Sequence, residues 1–180
     1  QGSVKTRYAL GKALIRLERF EPAVQTLSQL VTDGTYGVKA RYYVATAYTA
    51  LERLDEARTE FERLTDLSGG ITPELRHLSM LGISRIKMEQ GDLSGSTIGY
   101  QLIPRSSKYF EVALYEMGWG YIKAEQYDKA LATIDTLLLI VRDPFLDVEA
   151  HTLRGRLNIF LNDYDRAVSS FEKIVGRFAP

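Results

Sequence analysis

The side chains that most often carry out chemistry are few and scattered in this sequence. Among its 180 residues, His77 and His151 are the only histidines, and there is no cysteine. Neither histidine lies in an HExxH motif, the spacing that places two zinc-binding histidines on one helix face, or in a His/Asp cluster expected to bind metal. Gly11-Lys12-Ala13 lacks the upstream glycine and the Ser or Thr of a phosphate-binding loop. We therefore expect no catalytic residue, no metal site and no cofactor, so that the chain is not an enzyme.

Composition removes two further classes of function. The 23 Lys and Arg residues balance 23 Asp and Glu residues, so no net charge favours binding to nucleic acid. The most apolar stretch, Leu131 to Val141, is too short to cross a bilayer and is interrupted by Asp135, so we expect no insertion into a membrane. Hydrophobic residues make up 45% of the chain, which is enough to bury a core.

The elements that position the remaining side chains follow a sequence period. An aromatic residue or leucine, two further residues and a small residue recur five times. The five occurrences are Phe20 to Ala23, Leu54 to Ala57, Leu93 to Ser96, Tyr127 to Ala130 and Tyr164 to Ala167. Successive small residues are 34, 39, 34 and 37 residues apart. Large apolar residues follow each small residue by four and by seven positions, which predicts one buried face of a helix.

Another apolar helical pattern with a small residue precedes each of these helices. The small residues of these first helices are Gly11, Ala45, Gly82, Gly118 and Gly155. Small side chains let two helices approach closely. Thr72-Pro73 and Asp143-Pro144 predict helix starts, because each places a capping residue before a proline. In the third repeat Ser96 replaces the alanine of the others, and the first helix is expected to extend into Gln90-Gly91-Asp92.

This pattern resembles the tetratricopeptide repeat, a unit of two antiparallel helices, most clearly at residues 113–134. The resemblance implies an all-α fold, a right-handed α-solenoid of about five helix pairs, since one pair cannot bury its apolar face alone. We expect a single array with repeats near 4–37, 38–72, 73–106, 107–143 and 144–180. Residues 1–3 are interpreted as the remnant of a cleaved purification tag, and the chain as a fragment of a longer protein.

In this family the first helix of each pair lines a concave groove. Carried over position by position, the resemblance predicts a partner-binding surface of aromatic, basic and hydroxyl side chains. Its residues are Tyr8, Lys12, Tyr42, Tyr43, Thr46, Tyr115, Trp119 and Arg156. Aromatic side chains dominate binding hot spots, and Lys or Arg can hold a carboxylate. For Tyr42, Tyr43 and Trp119 the alternative is packing between helices.

The resemblance implies a non-catalytic scaffold that binds a protein or peptide segment in that groove. The alternative is a structural spacer or oligomerisation unit that self-associates through open solenoid ends or acts through its convex face. Residues 103–119 also resemble bacterial envelope-associated tetratricopeptide proteins, including those linked to gliding motility. This resemblance favours the periplasm or the outer membrane over the cytoplasm, and a place in an envelope complex.

One apolar run exceeds a single helix face. Residues 137–141 read Leu-Leu-Leu-Ile-Val, at the end of the second helix of the fourth repeat. A helix that is apolar on all sides is usually buried, which predicts packing against the fifth helix pair. The other interpretation, an additional surface for a partner, stays open at this point.

Overall fold

The computed structural model describes residues 3–178, which form ten α-helices and no strand. The helices are α1 (Val4–Arg16), α2 (Phe20–Ser28), α3 (Gly37–Ala50), α4 (Leu54–Thr65), α5 (Pro73–Glu89), α6 (Leu93–Gln101), α7 (Phe110–Lys123), α8 (Tyr127–Leu138), α9 (Pro144–Phe160) and α10 (Tyr164–Phe178). The two chain termini, residues 1–2 and 179–180, lie outside the described residues. The all-α prediction is confirmed.

The helices belong to two compact units, the first ending at Gln90 and the second beginning at Gly91. Unit 1 contains α1 to α5, and unit 2 contains α6 to α10. Within unit 1, α1 packs on α2 and α3 on α4, and within unit 2, α7 packs on α8 and α9 on α10. Each second helix also packs on the next first helix, as α2 does on α3 and α8 on α9. First helices contact each other directly within each unit, so they form a shared face.

Five turns connect first to second helices, and each contains one residue with positive φ. These residues are Glu18, Glu52, Gly91, Glu125 and Asn162, with φ of 56°, 59°, 82°, 57° and 61°. In the first turn the N–H of Arg19 donates to the carbonyl of Leu14, which is the Schellman arrangement that ends a helix. These positive-φ residues are spaced by the same intervals as the small residues, so the backbone conformation of the turn recurs with the sequence period.

Small residues set the distance between the two helices of a pair. The five small residues of the second helices are buried. Ala167 is 3% exposed, and Ala23, Ala57, Ser96 and Ala130 are 0% exposed. A Cβ added to Gly11 would lie 2.4 Å from the Leu27 side chain, and one added to Gly155 would lie 2.5 Å from the Phe171 ring. In the first, fourth and fifth repeats, the large residue four positions after the small residue thus fills the space above a glycine of the facing helix.

The third repeat departs from two sequence predictions. Helix α5 ends at Glu89, so it does not extend into Gln90-Gly91-Asp92; Gly91 takes the positive-φ position and Asp92 caps α6. Gly82 is not the small residue equivalent to Gly11, because a Cβ there would lie 2.7 Å from Phe61 of the preceding helix α4. The equivalent residue is Ser84, which is fully buried and twelve positions before Ser96.

Helix caps agree with the predicted starts. Thr72 accepts a hydrogen bond from the N–H of Leu75, and Asp143 accepts from Phe145 and Leu146. Ser3, which the sequence analysis set aside as a tag residue, accepts from the N–H of Thr6 at 3.2 Å and so caps α1.

Replacing Gly91 tests the positive-φ turn. An L-residue pays about 1–2 kcal/mol in the left-handed region, and asparagine pays least, so Gly91→Ala should lower the free energy of unfolding by about 1 kcal/mol and Gly91→Asn by less. Gly176, in α10, has no atom near an added Cβ and no positive φ. The control Gly176→Ala should therefore raise stability by about 0.5–1 kcal/mol. Urea unfolding measures all three, and equal effects of the two Gly91 substitutions would contradict the turn assignment.

Candidate functional site: the first-helix faces

Unit 1 presents an aromatic cluster on its first helices. The ring of Tyr8 on α1 lies 4.8 Å from that of Tyr36 and 6.1 Å from that of Tyr43, measured between centroids. Lys12 Nζ lies 5.8 Å from the centroid of the Tyr8 ring, within range of a cation–π contact. All four side chains are half-buried, so each keeps an accessible part. We call Tyr8, Lys12, Tyr36 and Tyr43 the unit-1 face.

Burial and the neighbouring phenols change the pKa of one tyrosine in this cluster. The pKa of Tyr8 is raised above its ordinary value of 10.0, first by burial and then by the neighbouring phenols of Tyr43 and Tyr36. The raised pKa keeps the Tyr8 phenol neutral at neutral pH. Such a surface offers ring faces and hydroxyl groups rather than a titrating acid or base.

Two predicted partner-binding residues are engaged within the fold. Tyr42 packs edge-on against the buried ring of Phe61 at 5.8 Å and belongs to the partly buried rim of a core cluster. The hydroxyl of Thr46 donates to the carbonyl of Tyr42 at 2.9 Å, within the same helix. Both side chains are half-buried. The ring contact of Tyr42 with Phe61 joins α3 to α4, whereas Tyr43 lies near Tyr8 on α1.

Unit 2 carries a smaller and more polar group on α7 and α9. The Trp119 ring stands nearly perpendicular to that of Tyr115, with centroids 6.5 Å apart, and Trp119 is 37% exposed. The Tyr115 hydroxyl donates to Glu149 Oε2 at 3.2 Å. Arg156 is exposed and close enough to Tyr115 to influence its ionisation. We call Tyr115, Trp119, Glu149 and Arg156 the unit-2 face.

The other three residues of the unit-2 face influence the pKa of Tyr115. Burial raises its pKa above the ordinary value of 10.0, and the Glu149 carboxylate raises it further. Trp119 and Arg156 act in the opposite direction. Tyr115 is consequently a neutral hydrogen-bond donor at physiological pH, and Glu149 holds it in place.

Sequence reasoning missed two members of these faces. Tyr36 lies in the loop before α3, where no helical periodicity marks it; the Asp33 carboxylate fixes its backbone by accepting the N–H at 2.8 Å. Glu149 follows Tyr115 by 34 residues, whereas the fourth and fifth repeats are 37 residues apart, so the sequence period points to Thr152 and Glu149 lies about one helical turn before it. That offset places the two side chains on adjacent first helices.

The histidines take different environments. His77 is half-buried, whereas His151 is 6% exposed, with its Nε2 3.9 Å from Asp147 Oδ1 one turn earlier in α9. Across residues 3–178 no cluster of three His, Asp or Glu side chains could hold a metal ion. In the same range, every helix is too short or too polar to span a bilayer.

The apolar run near the end of α8 separates into buried and exposed residues. Leu137 is fully buried, and the helix ends at Leu138. Leu139 is 85% exposed and Ile140 39% exposed. Packing of the whole run against the fifth pair, one of the two interpretations from sequence, is therefore wrong for these two residues.

Comparison with known proteins identifies the class of this fold. Three sequence models of the tetratricopeptide repeat match the chain, at residues 8–70, 113–147 and 148–177. The chain therefore belongs to the tetratricopeptide repeat family, whose members generally act as non-catalytic scaffolds for other proteins. No curated protein sequence matches the chain.

Solved structures agree with this fold over nearly the whole chain. MamA from Desulfovibrio magneticus RS-1 is 16% identical, with a TM-score of 0.75 over 96% of this chain and 93% of that one. TPR-like repeats from Podosopora anserina are 14% identical, with a TM-score of 0.74 over 96% and 93%. BtubC from P. vanneervenii is 13% identical, with a TM-score of 0.75 over 94% and 77%. At these identities the likeness shows the TPR-like solenoid fold alone.

The raised pKa of Tyr115 predicts that the stability of the fold depends on pH. Because its pKa in the folded chain lies above the ordinary value near 10.0, its stabilising contribution is fully present below about pH 10 and is lost as the pH rises through the raised pKa. The free energy of unfolding should therefore fall above about pH 10, and fall less in Tyr115→Phe. Urea unfolding across this pH range measures the loss.

Glu149→Gln separates the effect of the carboxylate charge on the pKa of Tyr115 from the effect of burial. Removing the carboxylate should lower the pKa of Tyr115, as followed by the phenolate absorbance that is missing in Tyr115→Phe. Glu172→Gln, at an exposed position of α10, is the control and should leave the titration unchanged. An unchanged pKa in Glu149→Gln would show that the hydrogen bond between these side chains does not form in solution.

Proposed function

We propose that the chain is a non-catalytic scaffold whose first-helix faces bind an extended polypeptide segment, with the unit-2 face as the principal contact. The observation that carries this proposal is the exposed ring of Trp119, held edge-on by Tyr115 on the shared face of α7 and α9. Trp119 is the only tryptophan of the sequence. Tryptophan, tyrosine and arginine are the residues that most often dominate binding hot spots.

The orientation of these side chains supports a preformed site. Tyr115 is fixed by Glu149, so it loses little conformational freedom when a partner binds. Trp119 offers an apolar surface, and the exposed guanidinium of Arg156 can donate two parallel hydrogen bonds to a carboxylate. The guest that fits is an extended segment with a large apolar side chain near an acidic one.

The unit-1 face adds a second contact of similar chemistry. Its three phenols and Lys12 again combine ring surface with a cation. Tyr42 and Thr46 contribute indirectly in this proposal, because Tyr42 packs α3 against Phe61 of α4 and Thr46 hydrogen-bonds within α3 to the carbonyl of Tyr42. The place of the protein in a bacterial envelope complex stays a prediction from the resemblance of residues 103–119.

Peptide binding to variants tests the unit-2 face. A library of random displayed peptides is selected against the chain, and the tightest binder is labelled and titrated by fluorescence anisotropy. Trp119→Ala should weaken binding by about tenfold or more, because a central aromatic anchor is removed. Tyr164→Ala, which removes an aromatic ring that is 60% exposed on α10, is the matched control and should bind as the unchanged chain does.

Helical circular dichroism must be the same in both variants. Selection of no binder, or a binder that is equally tight with folded Trp119→Ala, would overturn the assignment of the unit-2 face. The predicted alternative, a spacer that self-associates, gains support from the exposed apolar side chains of α10, Val168 at 54% and Val175 at 67%. It would be recognised by sedimentation that changes with protein concentration.

A further inference from the structure

A surface pocket in unit 2 lies apart from the residues of the unit-2 face. The loop between α6 and α7 and the segment that follows α8 enclose a volume of about 740 Å³. Helix α8 ends at Leu138, and Leu139, Ile140 and Arg142 after it line the pocket. Residues 105–108 also line it. We call this the α6–α8 loop pocket.

Part of the pocket lining is apolar and accessible. Leu139 is 85% exposed and Ile140 39% exposed, and the half-buried ring of Phe110 lines the same pocket. Phe145, 85% exposed, lines an adjoining pocket that shares Lys108 with the first. Large apolar side chains this exposed and this close together are typical of interaction sites rather than of ordinary surface.

The rim of the pocket is basic. Arg105, Lys108 and Arg142 line it, against the single carboxylate of Glu111 among its lining residues. Glu111 accepts the backbone N–H of Arg142 at 3.3 Å. The guanidinium groups of Arg105 and Arg142 make no ion pair or hydrogen bond with any side chain that the structure describes. Two arginine forks are therefore available to an anionic group from outside.

We propose that the α6–α8 loop pocket binds an acidic polypeptide segment that carries one large apolar side chain. The apolar side chain packs against Leu139, Ile140 and Phe110. Carboxylates on either side of it meet Arg105 and Arg142, because a guanidinium pairs with a carboxylate through two parallel hydrogen bonds. The chain as a whole has no net charge, so the preference for an acidic partner is local to this pocket.

Three labelled synthetic peptides test the proposal on the full chain. The first has glutamates around one phenylalanine, the second has alanine in place of the phenylalanine, and the third has lysines in place of the glutamates. Fluorescence anisotropy should show binding of the first only. Its affinity should decrease as salt is raised, because charge pairs at an exposed rim are screened.

Matched variants locate the binding. Leu139→Ser and the double variant Arg105→Glu/Arg142→Glu should each lower the affinity for the first peptide by about tenfold or more. Val175→Ser and Lys173→Glu are controls of the same types at exposed positions of α10 and should have no effect. In the Trp119→Ala background both pocket changes should still weaken binding of the first peptide by about tenfold or more, which separates this pocket from the unit-2 face.

Chemical-shift mapping with the first peptide gives an independent readout if one variant fails to fold. Shifts should concentrate at residues 105–111 and 139–142. The proposal is overturned by absence of binding, by equal binding of the lysine peptide, by losses no larger than in the controls, or by unchanged shifts at residues 105–111 and 139–142. Tighter binding of a single-stranded oligonucleotide than of the glutamate peptide would likewise overturn it, in favour of a nucleic-acid site.

Discussion

The close approach of two helices at a residue with almost no side chain is the constraint on which the rest of this structure depends. Gly11, Gly118 and Gly155 each face the side chain that lies four positions after the small residue of the next helix, and a Cβ on any of them would meet that side chain at less than 3 Å. The pair is thereby locked in one register. A three-residue turn with one residue of positive φ connects the two helices of each pair, and its position follows the same period.

This constraint determines which side chains remain for function. The buried face of a first helix is committed to its glycine or alanine and to the facing core residue. Tyr8 and Tyr115, three positions before Gly11 and Gly118, contact residues of the adjacent first helix or of the turn before it, and Trp119, directly after Gly118, contacts Tyr115. Aromatic side chains at those positions are held by neighbours but keep accessible edges. The fold thus explains why its candidate binding residues are rigid and partly buried at once.

The period made the helix pairs predictable, because packing between neighbours leaves a regular trace in the sequence, whereas the aromatic surface was expected from the resemblance to the tetratricopeptide repeat. It failed where two small residues competed: Gly82 looked equivalent to Gly11, yet the constant twelve-residue spacing to Ser96 selects Ser84. The pattern could not assign Tyr42 either, since the ring contact with Phe61 depends on side-chain direction. Leu139 belonged to an apolar run, and its exposure follows only from the end of α8 at Leu138.

A double-mutant cycle at Gly118 and Ile134 tests the central constraint most directly. A Cβ on Gly118 would lie 2.7 Å from Ile134 Cδ1, the methyl group that valine lacks. Gly118→Ala should cost about 1–3 kcal/mol in the unchanged chain and clearly less in the Ile134→Val background, a coupling of about 0.5 kcal/mol or more. Urea unfolding of the four proteins gives this number. Additive costs would contradict the account, because the two helices would then not be held apart by this contact.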